Sequence, residues 1–208
     1  MIYFDNNATT PIAPEVLAAM QPFLTEFYGN PSSAYNFGRE TRNAITNSRA
    51  QIADLLGAND EAEIVFTSGG TESDNWAIFG TLEARPNKKH IITTRVEHEA
   101  VRKVCEKLAT KGYEITWLEV DENGSLNLDE LKNSLCENTA IVSVMLANNE
   151  TGILFPIAEV AEIIKENSDA IFHVDEILFF KIRNDGVELE KCSGRVTIND
   201  EVDRKSVV

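Results

Sequence analysis

The chain is short of cysteine, short of basic residues and without any long apolar run. Its three cysteines, Cys105, Cys136 and Cys192, show no CxxC or metal-ligand spacing, and their number is odd. That excludes a disulfide framework and a zinc ribbon, and it fits a reducing cytoplasm. Lys and Arg number 19 against 34 Asp and Glu, a formal net charge of −15. Such an acidic balance argues against nucleic acid and anionic membranes as partners and favours solubility. No stretch approaches the roughly 18 apolar residues of a membrane span. The opening MIYFDNNATT has neither a basic n-region nor an apolar h-region, so the expectation is a cytoplasmic protein. Internal repeats and low-complexity linkers are lacking too. The 208 residues, 43% of them hydrophobic, suffice for one cored domain or for one domain plus a short appendage.

Helical and strand periods alternate from residue 14 to residue 175. Val16, Leu17, Met20, Phe23, Leu24 and Phe27 form one apolar helical face just after Pro14, and the turn formers of residues 28–33 break it. Ile45, Ile52, Leu55 and Leu56 mark a second helix that closes at Gly57. Residues 63–67, 90–94, 114–118, 139–147 and 170–175 read as strands. Helical patterns separate several of them, one through Val101, Val104, Cys105 and Leu108, another through Val160, Ile163 and Ile164. Asn127 followed by Glu130 reads as a helix cap with a back-reaching carboxylate. Strands spaced by helices predict an α/β fold, a mainly parallel sheet with helices on both faces. After Asp175 the texture changes to a short β-rich tail, with strand candidates at 177–182, 187–192 and 195–199 between tight turns.

The chemistry-bearing residues follow successive strands. Thr67-Ser68-Gly69-Gly70-Thr71-Glu72 stands where a strand gives way to a helix over 73–79. Free N–H groups and the positive end of a helix dipole make such a junction an anion seat. Gly70 lets backbone approach a phosphate and Thr71 adds a hydroxyl, although an ordinary strand–helix turn looks the same. His98 opens the next helix, either to stack on a flat heterocycle and move a proton or as a surface histidine. Asn148 and Asn149 follow the strand 139–147, where an amide can meet a ligand oxygen or only shape the turn. Asp175 ends the run Ile171-Phe172-His173-Val174-Asp175, and a carboxylate there is suited to pair with a protonated ring nitrogen. His173 reads as structural. Ligands of open α/β sheets bind at the carboxyl ends of strands, so this set together describes a pyridoxal-phosphate pocket.

Six segments carry a family likeness: Asp5-Asn6-Asn7-Ala8-Thr9-Thr10-Pro11, Gly29-Asn30-Pro31-Ser32-Ser33, the 67–72 run, Glu97-His98, Asn148-Asn149-Glu150-Thr151-Gly152 and His173-Val174-Asp175. In this order they resemble cysteine desulfurases of the nitrogen-fixation type. These are class V aminotransferases with the fold-type I pyridoxal-phosphate architecture. The resemblance implies that residues 1–175 are the N-terminal part of the transferase large domain, with 176–208 a divergent tail. It implies that Gly70 and Thr71 hold the cofactor phosphate and that His98 stacks on the ring and aids proton transfer. Asn149 would contact the phenolic oxygen and Asp175 the ring nitrogen. Family members turn L-cysteine into L-alanine, leave a persulfide sulfur for iron–sulfur cluster assembly proteins, and are homodimers.

After Asp175 the likeness stops. The family's Ser-Gly-His-Lys, whose lysine forms the Schiff base, does not occur in these residues. The echo Ser193-Gly194-Arg195 offers an arginine, which stays protonated and cannot be that amine. Nor do these residues include the persulfide-forming cysteine or the substrate arginine. Cys105 and Cys136 fall in helical patterns, and Cys192 falls in the tail. The expectation is a chain inactive by itself that binds the cofactor weakly or not at all. The alternatives are a non-catalytic interaction module from an interrupted gene and half of a split enzyme. Residues 177–182 and 195–199 are expected to replace missing sheet strands, in the same chain or by strand exchange in a dimer.

Overall fold

The computed structural model describes residues 2–3, 9–175, 181–183 and 186–188. Asp5 to Ala8 of the opening motif and the strand candidate at 195–199 lie outside them. Two compact units divide at Val65 and Phe66.

In the first unit, Pro14 at the first helical position starts α1 (Pro14–Thr25), because its fixed φ suits a helix start and its missing N–H is not needed there. None of the residues of α1 is buried, and its apolar face shows Val16, Leu17, Met20 and Leu24 to solvent. α2 (Arg39–Leu56) ends at Gly57, whose φ of 73° is the left-handed cap that glycine adopts cheaply. Arg42 ties α2 to the preceding loop, its Nε donating to the Pro31 carbonyl at 2.8 Å and its Nη2 to that of Ser33 at 2.6 Å.

Gly38, just before α2, is a close-approach glycine. A Cβ there would sit 2.2 Å from the carbonyl oxygen of Asn30. Gly38→Ala should therefore destabilise this unit by about 1–3 kcal/mol, the usual cost of overpacking. Hydrogen exchange of the α2 amides should quicken accordingly, and unchanged exchange would contradict the steric reading.

Residues 63–67, expected as a strand, form none among the described residues. Asp60 accepts a hydrogen bond from the Ala62 N–H and starts a 3-10 turn over Glu61–Glu63. Just beyond it Ile64 makes an isolated β-bridge, but no continuous ladder among the described residues includes 63–67, and extended backbone becomes a strand only when another edge satisfies successive N–H and C=O groups.

The second unit contains α3 (Gly70–Ala84), β1 (His90–Thr94), α4 (Glu99–Ala109), β2 (Glu114–Leu118), α5 (Leu128–Ser134), β3 (Thr139–Ser143), α6 (Ile157–Asn167) and β4 (Ile171–His173). The four strands are parallel, in the order β2-β1-β3-β4. β1 and β3 are buried along their whole length, as strands covered on both faces must be. Alternation sorts their side chains between two cores. Ile91 and Ile141 pack with Ile78, Leu82, Val101 and Leu108 of α3 and α4. Ile92 and Val142 pack with Leu131, Val160 and Ile164 of α5 and α6. The expected cap of α5 is present: Asn127 Oδ1 accepts from the Glu130 N–H at 3.1 Å. Cys105 lies in α4, but Cys136 lies beyond α5, exposed, rather than within a helix.

In the tail, β5 (Lys181–Arg183) and β6 (Gly186–Glu188) pair antiparallel with each other as a separate two-stranded sheet. The described part of the 177–182 candidate thus does not extend the parallel sheet. Its remainder lies outside the described residues.

Candidate functional site

The crossover α4 leaves β1 for one face of the sheet, and α6 leaves β3 for the other. Because β1 and β3 are neighbours, the chain departs in opposite directions at their carboxyl ends. A crevice opens there, at the switch point where doubly wound sheets bind ligands. Four connections reach this rim or its surroundings: the start of α3, the turn between β1 and α4, the segment after β3, and the end of β4.

Glu97 bridges the split. Its Oε1 accepts from the Thr94 hydroxyl at 2.8 Å and from the Met145 N–H at 3.0 Å, joining the exits of β1 and β3. Its Oε2 is buried with no protein partner among the described residues. Burial pushes the Glu97 carboxyl up to about 8, against the pull of those two hydrogen bonds and with added push from Asp175 and Asp74. A buried carboxyl without a cation beside it keeps its proton. In the sequence Glu97 stands beside His98 within the family likeness, but only His98 received a role there.

His98 is the N-cap of α4, where its Nδ1 accepts from the Ala100 N–H at 3.2 Å. That bond fixes the ring's hydrogen on Nε2 in the neutral form and sets the imidazole at the rim, exposed on the other side. One ligand atom from each of Asp74, His98 and Asp175 lies within 4.8 Å of the other two. Asp175 is held above the ordinary carboxylate range, first by burial and then by Asp74, with His173 and His98 pulling the other way. His173 belongs to the same cluster. Its Nε2 is 3.5 Å from Asp74 Oδ1 and its Nδ1 2.9 Å from the Ser143 hydroxyl.

Gly70 and Thr71 form the first residues of α3, both exposed. The N–H groups of Glu72 and Ser73 turn back to the Gly69 carbonyl at 3.1 and 3.2 Å, which leaves those of Gly70 and Thr71 as the helix's outward donors. A Cβ on Gly69 or Gly70 would meet nothing within 4 Å, so the space before them is open. Glu72 accepts from the Ser68 N–H at 2.6 Å, and hydrogen bonding from Ser68, first its side chain and then this N–H, holds the Glu72 carboxyl below the usual range. Asp74 lies one turn on from Gly70, about 6 Å along the axis.

Asn148 and Asn149 part company. Asn148 Oδ1 accepts from the N–H groups of Glu150 and Thr151 and from the Thr151 hydroxyl, at 2.9–3.1 Å. Its Nδ2 donates to the Val96 carbonyl at 3.1 Å, pinning the turn to the segment before His98. Asn148 therefore builds the turn that carries the half-buried Asn149 beside that segment.

These residues fit pyridoxal phosphate on chemical grounds. Outward N–H donors suit a phosphate, an imidazole at the rim suits a flat ring, and a half-buried carboxylate flanked by another suits a positively charged ring nitrogen.

The switch-point crevice, its open helix start and its carboxylate–imidazole cluster give this α/β protein the layout of a ligand-binding site. Residues 2–178 match the family described as aminotransferase class-V, and the chain belongs to that family. It is 56% identical over 177 residues to a cysteine desulfurase of Trichormus azollae, a match covering 85% of this chain and 44% of that protein. Cysteine desulfurase NifS of Azotobacter vinelandii is 47% identical over 176 residues, with the same coverages. Among solved structures, a NifS-like protein superposes with a TM-score of 0.80 at 40% identity, covering 83% of this chain and 48% of that one. The apo cysteine desulfurase of Thermococcus onnurineus NA1 gives 0.75 at 30% identity, covering 83% and 43%. The chain spans a little under half the length of these relatives. Among the described residues, no helix is long and apolar enough to cross a membrane.

Proposed function

We propose that this chain is the coenzyme-binding part of a pyridoxal-phosphate-dependent cysteine desulfurase. By itself it holds the coenzyme reversibly and does not turn over cysteine. The observation that carries this reading is the meeting of His98, Asp175 and Asp74 at the crevice between the β1 and β3 exits. Gly70 and Thr71 would hold the phosphate, His98 would cover one face of the ring, Asn149 would donate to the phenolic oxygen, and Asp175 would pair with the ring nitrogen. When bound, the coenzyme supplies an electron-withdrawing ring that stabilises negative charge developing on the substrate. The Nε2 of His98, on the open side of its imidazole, is placed to carry a proton at the rim. These 208 residues contain no Ser-Gly-His-Lys, so this reading assigns no anchoring lysine among them.

Titrating the purified protein with pyridoxal phosphate tests the reading. Expected are reversible binding, no adduct stable after borohydride reduction, and no sulfide release from L-cysteine. Asp175→Asn should weaken binding by about 10- to 100-fold, as expected for loss of a charge-assisted hydrogen bond. Failure of the wild-type protein to bind at all would end the reading. A borohydride-stable adduct would refute its non-covalent part.

A second reading, half of a split enzyme, is favoured by the apolar faces left open on α1 and on α3, where Trp76 and Phe79 are exposed. An apolar helical face is normally covered. Sulfide release that appears only on adding a separate C-terminal fragment would select it. Homodimer formation and sulfur delivery to iron–sulfur assembly proteins are proposed for the completed enzyme.

A further inference from the structure

The cluster at the rim contains a carboxylate to which the coenzyme reading gives no task. We propose that Asp74 sets how strongly Asp175 holds a positively charged ring nitrogen, and that His173 and Ser143 fix Asp74 in place to do so. The proposal rests on the coenzyme reading of the same crevice.

Asp74 lies on the covered face of α3 with Ser73, Ala77 and Ile78, and only 4% of it is exposed. Burying a carboxylate is costly unless it is paired, and apolar packing does not need one. Its partner is His173, whose Nε2 stands 3.5 Å from Oδ1. The other ring nitrogen meets Ser143 Oγ at 2.9 Å. Ser143 and His173 are register partners on β3 and β4, so the sheet itself fixes the imidazole. With hydrogen on Nε2 the ring donates toward Asp74, and the serine hydroxyl donates to Nδ1.

Asp175 follows His173 by two residues, and successive residues of an extended chain alternate sides. This brings its carboxylate to the same side, where one of its oxygens lies within 4.8 Å of Asp74. The titratable groups facing Asp175 are then Asp74 from α3, Glu97 and His98 from the β1–α4 turn, and His173 from β4. Of these, Asp74 adds negative charge at the place a ring N–H⁺ would take. A carboxylate this close strengthens the hold of Asp175 on a proton or cation, and burial limits screening by water. Asp74 is thus a positioning residue that acts through Asp175.

The test uses Asp74→Asn and Asp74→Glu in the full chain. Carbon-detected NMR of the coenzyme-free protein follows the Asp175 carboxyl through its titration. The midpoint should fall in D74N and be largely kept in D74E. Binding is then compared for pyridoxal phosphate and for its benzene analogue, which keeps the phosphate and ring substituents but has carbon in place of the ring nitrogen. D74N should weaken pyridoxal phosphate by about tenfold and leave the analogue nearly unchanged. Equal weakening of both ligands, or an unmoved Asp175 midpoint, would overturn the proposal while leaving the coenzyme reading standing. Absence of pyridoxal phosphate binding by the wild-type chain would overturn both. Should D74N fail to fold, Asp74→Ser, which also removes the charge and leaves a small polar side chain beside His173, should lower the midpoint in the same direction.

Discussion

Glu97→Gln is expected to stabilise the protein against unfolding at pH 8 by on the order of 3 kcal/mol and to leave it unchanged at pH 4. The buried Glu97 carboxyl is raised from about 4.5 to about 8, chiefly by burial. Below about 4.5 both the folded and the unfolded chain keep the proton, so the group contributes no pH dependence. Between about 4.5 and 8 the unfolded chain loses the proton and the folded chain does not. Stability therefore falls as pH rises, and the loss levels off above about 8, once the folded carboxyl ionises too. Glutamine keeps the acceptor oxygen for the Thr94 hydroxyl and the Met145 N–H but cannot ionise. Asp175, raised in the same sense, leaves a shallower slope of the same sign in the variant. His90, lowered mainly by burial, acts at the acid end, where stability is lost as pH falls through its ordinary range. Urea unfolding followed by fluorescence of Trp76 and Trp117, both in the second unit, would read these curves. Parallel curves for wild type and E97Q from pH 4 to pH 9 would show that the carboxyl is not buried as described.

Ile141→Ala and Val142→Ala should each destabilise the second unit by about 2–4 kcal/mol, and the double variant by nearly the sum. Both side chains are fully buried. They are sequence neighbours that never share a cavity, because Ile141 enters the core beneath α3 and α4 while Val142 enters the one beneath α5 and α6. Deleting each leaves a void lined by a different set of side chains, and independent voids give additive losses. The same denaturant titrations decide it. A double-variant loss much smaller than the sum would mean that the two faces relax together, contrary to a sheet that keeps its cores apart.

Much of the architecture was legible in the sequence for physical reasons visible in particular residues. Val101, Val104, Cys105 and Leu108 recur at a helical period and lie on the buried side of α4. Gly57 stood at the end of a helical pattern and caps α2 in the left-handed region. The 63–67 segment misled because its apolar residues satisfy a strand pattern while pairing depends on an edge elsewhere in the chain. The helix over 73–79 came out twice as long, since it already begins at Gly70 within the run that read as a turn and continues past Phe79 to Ala84. At the site, His98 and Asp175 were legible from their places at the ends of apolar runs, and the structure brings them together. Glu97 and Asp74 were not. Nothing in local spacing shows that Glu97 reaches Met145, 48 residues on, or that Asp74 faces His173. Asn148 was legible only as an ambiguity, which its bonds within the turn and to Val96 resolve.

The sequence alone fixed the parallel α/β class, because hydrophobic period and turn chemistry act over a few residues and are written locally. It also fixed the family likeness through motifs standing in order. The tertiary structure decided the strand order β2-β1-β3-β4, the switch point beside β1, and therefore which polar groups meet. Proton affinities at the rim were likewise beyond the sequence, since they arise from burial and from charges brought near by folding. A carboxylate's chemistry is set by its neighbours in space, and 101 positions separate Asp74 from Asp175 along the chain.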